Sequence, residues 1–213
     1  MVPLRAPTRP PRIALVGGFT PRRCGIATFT ADIHASLTAA APGLVVDVYA
    51  MTPAADHTRF DPVVCTTIVE GEVESYIAAV RQIEASGADV VWLQHEFGIF
   101  GGPDGEFVLA LLDNLRIPVV TTCHTILAEP TPSQHRVLQK VAAQSSRVVV
   151  MAEKGRTLLT EIYGVAPQKI DVIAHGIPDR PFHDPDIAKV ELGSRNADMS
   201  SFFNGAPATL VGI

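Results

Sequence analysis

Short apolar runs alternate with segments of helical period from one end of this chain almost to the other. That alternation constrains the fold more than any other feature. Residues 13–16, 44–50, 63–69, 89–93, 118–122, 147–151 and 170–174 read as strands. Between them, Ile26, Phe29, Ile33 and Leu37 mark one helix face, and Val73, Ile77, Val80 and Ile83 mark another. Residues 107–115 read as a helix behind a Pro103-Asp104 start signal, with Asp104 as its cap. Ser133 opens a further helix through Val137, Leu138 and Val141, and 154–163 is a helix stopped by Gly164. Parallel strands need a crossover between them, and a helix is the usual one. The pattern therefore predicts an α/β fold in which helices cover both faces of a parallel sheet.

Composition narrows what such a fold can be. With 213 residues, 47% hydrophobic and 18% charged, the chain can bury one sizeable core. A net charge of -5 argues against a nucleic-acid partner. The thirteen arginines and four lysines make no basic run. No apolar stretch approaches the roughly 18 residues of a membrane span, so only peripheral membrane contact stays open. Residues 1–11 read as a disordered Pro/Arg tail rather than a leader. Cys24, Cys65 and Cys123 are odd in number and lack metal-type spacing, which reads as reduced thiols in a cytoplasmic protein. The main domain is expected over 12–181, with 182–213 as linker and loose tail.

In an open parallel sheet, ligands bind beyond the carboxyl ends of the strands. Two runs here end in histidine: Leu93-Gln94-His95-Glu96-Phe97-Gly98 and Thr121-Thr122-Cys123-His124-Thr125. His95 and Glu96 suit acid/base work or hydrogen bonding to a ligand's hydroxyls. Consecutive side chains of an extended segment point to opposite sides, so one of the pair faces the crevice, and the expectation is His95. His124 reads as a ligand contact in preference to a metal ligand with His95 and His175, because no paired local spacing links the three. After the first strand, Gly17-Gly18-Phe19-Thr20-Pro21-Arg22-Arg23-Cys24-Gly25-Ile26 is either a phosphate cradle charged by Arg22 and Arg23 or a plain glycine turn. The absence of G-x-G-x-x-G after Val16 argues against a nicotinamide enzyme. His175-Gly176-Ile177-Pro178-Asp179 closes the last strand as a contact or an exit loop.

Together, the Cys24-Gly25-Ile26 loop, the two histidine segments and Ile173-Ala174-His175-Gly176-Ile177-Pro178-Asp179 resemble the N-terminal domain of a family 4 glycosyltransferase of GT-B architecture, over about residues 12–193. The resemblance implies a Rossmann-like sheet and transfer of a sugar, with retention, from a nucleotide-sugar donor to a sugar or other small-molecule acceptor, without a metal or other cofactor. It implies that Gly25 lies against the donor diphosphate, with Cys24 in place of a first glycine. It implies also that His124 contacts the transferred sugar. His175 stands where the family commonly has Asn. That family's second domain supplies most donor contacts. The chain looks truncated or frameshifted after Gly193, and alone it is expected to be inactive. The competing reading is a non-catalytic sugar or nucleotide binding module.

Overall fold

The computed structural model describes residues 9–53 and 59–176. Among these residues, seven strands form one sheet: β1 (Arg12–Gly17), β2 (Val45–Thr52), β3 (Val64–Val69), β4 (Val90–His95), β5 (Val119–Cys123), β6 (Arg147–Val150) and β7 (Ile170–Val172). Every neighbouring pair is parallel, in the order β3-β2-β1-β4-β5-β6-β7. Among the described residues, five helices lie between them: α1 (Gly25–Ala40), α2 (Val73–Ser86), α3 (Val108–Leu112), α4 (Pro132–Gln144) and α5 (Glu153–Glu161). This is the parallel sheet that the alternation predicted, in the Rossmann-like form that the resemblance implied.

The strand order reverses beside β1, and that reversal distributes the helices. From β1 the chain steps through α1 to β2 and on to β3 in one direction, whereas the helical crossovers after β3 step the other way. Right-handed connections therefore put α1 on one face and α2 to α5 on the opposite face. The two faces are covered unequally. Tyr76, Val80 and Ile83 of α2, Leu111 of α3, Val137, Leu138 and Val141 of α4 and Leu159 of α5 join one large buried cluster with β-strand side chains. On the other side Phe19, Val48 and Ala50 make a small one. Helix α1 buries only Ala27 and Thr30 completely. The face marked by Ile33 and Leu37 is half-buried, so α1 covers its side of the sheet less tightly than its period suggested.

Several boundaries move for local reasons. Strand β4 continues two residues past Leu93, because Gln94 and His95 still pair with Thr122 and Cys123. Helix α4 is capped by Thr131 rather than Ser133: Thr131 Oγ1 accepts from Gln134 N at 3.2 Å, and Gln134 Oε1 accepts from Thr131 N at 2.9 Å. Asp104 caps no helix. It lies in a short 3-10 turn (Pro103–Gly105) at φ 52°, a left-handed conformation that Asp tolerates better than most residues. The close approach in this segment is at Gly101, where a Cβ would come within 1.8 Å of the Glu70 carbonyl oxygen. Gly164 does end α5's segment, at φ 69°.

The inner end of the expected tail makes specific contacts. Arg9 grips the Asp89 carboxylate with two bonds of 2.6 and 3.1 Å, and the Pro11 carbonyl accepts from Val45 N at 2.9 Å. The Arg12 N–H, and after it the Arg9 guanidinium, hold the Asp89 carboxyl below its usual range. Residues 1–8, and the expected domain end and tail over 177–213, lie outside the described residues. Among the described residues, no helix is long and apolar enough to cross a membrane.

Candidate functional site

Beside the β1–β4 reversal, a cleft of about 480 Å³ opens beyond the strand ends. One wall is the start of α1. Cys24 caps that helix, its Sγ accepting from Ala27 N at 3.4 Å, so the residue standing in place of a glycine has a structural task. Gly25 follows with open space where a Cβ would be, and it and Ile26, the two first-turn residues ahead of the capped Ala27 N–H, both line the cleft. Arg22 also lines the cleft, and its guanidinium is ion-paired with Glu70. Arg23 is exposed and is not part of the lining, so the expected pair of arginines is reduced to one.

The opposite wall comes from the ends of β4 and β5. Glu96 lines it, not His95. The expectation that His95 faces the crevice is overturned by the parity of the strand. His95 is 0% exposed and packs on the α2–α5 side, with ring centroids 5.2 Å from Phe97 and 5.9 Å from Phe100. Neither imidazole nitrogen has a hydrogen-bond partner, and burial pulls its pKa down to about 4. Glu96 turns the other way. One carboxylate oxygen accepts from Phe97 N at 3.0 Å and the second accepts from the Thr125 hydroxyl.

His124 is where the sequence placed it, in the cleft wall. Its backbone N–H donates to the His95 carbonyl at 3.0 Å, which extends the β4–β5 ladder by one bond. Its ring meets Phe29 of α1 edge-on at 4.9 Å. Phe29 in turn lies 4.9 Å from the His175 ring, so the two histidines flank one phenyl group. Burial, with a smaller contribution from His175, lowers the His124 pKa to about 4, leaving a neutral imidazole at pH 7. The structure thus gathers Arg22, Gly25, Glu96, His124 and His175 around one cleft and leaves His95 behind it.

Cys123, beside His124, is buried, and burial pushes its thiol up to about 12, with Glu96 adding to the rise. It packs as a small buried side chain in the larger core cluster. Among the described residues, no group of three His, Cys, Asp or Glu side chains is placed to hold a metal ion. Sequence reading assigned no role to Gln94 or Thr125, and it treated Phe29 only as part of an apolar face. Gln94 and Glu96 share one strand parity, which the sequence does show, but the register that sets them beside His124 comes from the strand pairing.

Comparison with known proteins identifies the family and the fold. The profile of Glycosyltransferase Family 4 matches residues 25–180. The chain is 28% identical over 195 residues to a D-inositol 3-phosphate glycosyltransferase of Rhodococcus erythropolis, covering 83% of this chain and 41% of that protein. It is 32% identical over 121 residues to the protein of the same name from Segniliparus rotundus, covering 51% of this chain and 27% of that one. The chain therefore spans less than half the length of these relatives. Among solved structures, the apo form of a lipopolysaccharide outer core galactosyltransferase superposes with a TM-score of 0.58 at 9% identity, over 82% of this chain and 50% of that one. Such a likeness speaks for the fold, one Rossmann-like half of a GT-B architecture. The chain belongs to Glycosyltransferase Family 4.

Proposed function

We propose that this domain forms one wall of a sugar-transfer cleft, acting on a nucleotide-sugar donor and a small-molecule acceptor with retention at the transferred carbon. The observation that carries the reading is the joint placement of a helix N-terminus and a neutral histidine in one cleft. The diphosphate of the donor fits the start of α1, where unpaired N–H groups and the helix dipole favour an anion and Gly25 leaves room for it. As the sugar leaves the diphosphate, negative charge grows on the leaving oxygen, and a fixed dipole stabilises that charge without reorganising. Arg22 adds a cation once a diphosphate competes with Glu70 for it.

Across the cleft, the His124 imidazole and the Glu96 carboxylate are suited to hydrogen bonds with sugar hydroxyls. His175 closes the same side. The names of the relatives suggest a polyol phosphate as acceptor. The proposal assigns the cleft no metal or organic cofactor, since the nucleotide-sugar is a substrate, and it places the reaction in the cytoplasm.

Titration of the chain with UDP-glucose, GDP-mannose and inositol phosphate, followed by amide and imidazole NMR, tests this reading. The Gly25 and Ile26 amides and the His124 ring are expected to shift together with one donor. Release of nucleoside diphosphate would distinguish transfer from simple binding. A panel that moves none of these resonances would overturn the proposal.

A further inference from the structure

Gln94 lies behind the cleft wall, 0% exposed, yet its Oε1 sits 3.0 Å from Nε2 of His124. The contact follows from strand register. Gln94 is paired with Thr122, so His124 lies two residues further along the neighbouring strand, within diagonal reach. The same diagonal step occurs one layer back, where Trp92 Nε1 donates to Thr122 Oγ1 at 2.9 Å. Gln94 is also confined from its other side. A Cβ on Gly17 would fall 2.8 Å from the Gln94 Cβ, so the glycine at the end of β1 makes room for this side chain. The backbone of His124 is fixed by its own bond to the His95 carbonyl. Both ends of the Gln94–His124 contact are therefore set by the sheet.

An amide carbonyl can only accept, so the proton in this bond belongs to Nε2 of the imidazole. Nδ1 then keeps its lone pair, and it is not among the buried polar atoms that lack a partner. Resting on the sugar-binding reading above, we propose that Gln94 is a positioning residue: it holds His124 in the Nε2–H form, so that Nδ1 accepts a hydrogen bond from a hydroxyl of the bound sugar. The Gln94 amide nitrogen is buried without a partner. Turned round, the amide would donate to Nε2 and drive the proton to Nδ1, reversing what the cleft offers. Burial, with a smaller contribution from His175 across Phe29, keeps the ring neutral, whereas the Glu96 carboxylate in the same wall is a group that favours the charged form.

The test is imidazole nitrogen NMR on the intact chain, comparing wild type with Gln94→Met, Gln94→Glu and Gly17→Ala. Wild-type His124 is expected to be a single Nε2–H tautomer that titrates near its value of about 4. Gln94→Met should admit a measurable Nδ1–H fraction. Gly17→Ala should do the same although neither partner is altered, because the new methyl displaces Gln94. Gln94→Glu puts a carboxylate against the ring, and the His124 titration should rise by about one to three pH units. Binding supplies the functional arm. Gln94→Met should weaken UDP-glucose or GDP-mannose about tenfold while leaving UDP and GDP unchanged, because the lost contact is to the sugar. A wild-type Nδ1–H tautomer would overturn the assignment, as would a Gln94→Met ring whose tautomer and titration match wild type. If wild type binds none of the four nucleotides, the sugar-cleft reading fails by itself, and the tautomer still decides whether Gln94 orients His124. Should Gln94→Glu fail to fold, Gln94→Met and Gly17→Ala carry the decision.

Discussion

The ends of β4 and β5 look alike in sequence, each an apolar run closing on a histidine, yet they put those histidines in opposite environments. Register explains the difference. His95 pairs with Cys123, so it shares a face with that buried thiol, and the residue level with His124 is Glu96. The β4 motif thus reaches the cleft one residue later than its histidine suggests. One histidine is a packing element under the α2–α5 layer, and the other is a polar group on the α1 side, where the helical cover is thinner. A strand-end histidine is evidence for a site only once its parity is known.

The largest effect expected from this contrast is on folding, at His95. His95→Ala removes a ring packed between Phe97 and Phe100 and should cost roughly 2–5 kcal/mol in urea unfolding, as other large-to-small core changes do. His95→Leu keeps the volume and removes two unpartnered nitrogens, so it should lie within about 1 kcal/mol of wild type or above it. If His95→Leu is as damaging as His95→Ala, the imidazole has a polar partner and the comparison breaks.

A slightly smaller effect should appear in pH dependence. Below about pH 6.5 the unfolded chain binds a proton on His95 that the folded chain refuses until about pH 4. Stability therefore falls as pH drops through that window and levels off beneath it, by an amount on the order of 3 kcal/mol from this residue. Denaturant midpoints at pH 7, 5.5 and 4 should show the loss, and His95→Leu should remove much of it. Of what remains, part belongs to His124, whose pKa is lowered in the same direction, and part, towards pH 4, to the Asp89 and Asp171 carboxyls.

Smaller still is the bridge joining the two strand ends. Thr125→Val deletes the hydroxyl that donates to Glu96 and should cost about 1–2 kcal/mol in thermal or urea unfolding, near the value of a hydrogen bond to a charged group. A neutral result would show that the Glu96 carboxylate is held by Phe97 N alone. The smallest folding effect is expected at His124, where the ring is half-buried against Phe29. His124→Ala should lose no more than about 1 kcal/mol. It should nonetheless abolish the nucleotide-sugar shifts at the cleft, the reverse of the pattern at His95. A His124→Ala protein that melts early but binds normally would make it the core histidine of the two.

Much of the fold was legible because it depends on local pattern. A strand and a helix bury different periods of residues, and their alternation leaves few architectures other than a parallel sheet. The helix start at Thr131 was less legible: Thr131, Ser133 and Pro132 all carry start signals, and only the reciprocal bonds to Gln134 separate them. Arg9 was read as part of a tail because its partner, Asp89, is 80 residues away.

The sequence by itself determined the layers of this protein, the position of its cleft at the strand ends and the presence of His124 and Gly25 there. Each of these follows from short-range periodicity and from the few ways parallel strands can connect. Only the tertiary structure decided which side chains enter the cleft. That choice between His95 and Glu96, like the recruitment of Gln94 behind His124, turns on the pairing register of β4 and β5. Strand side chains alternate with a period of two, so a single residue of register exchanges the buried set for the exposed one. Nothing in the local sequence of either strand records how it is aligned with the other.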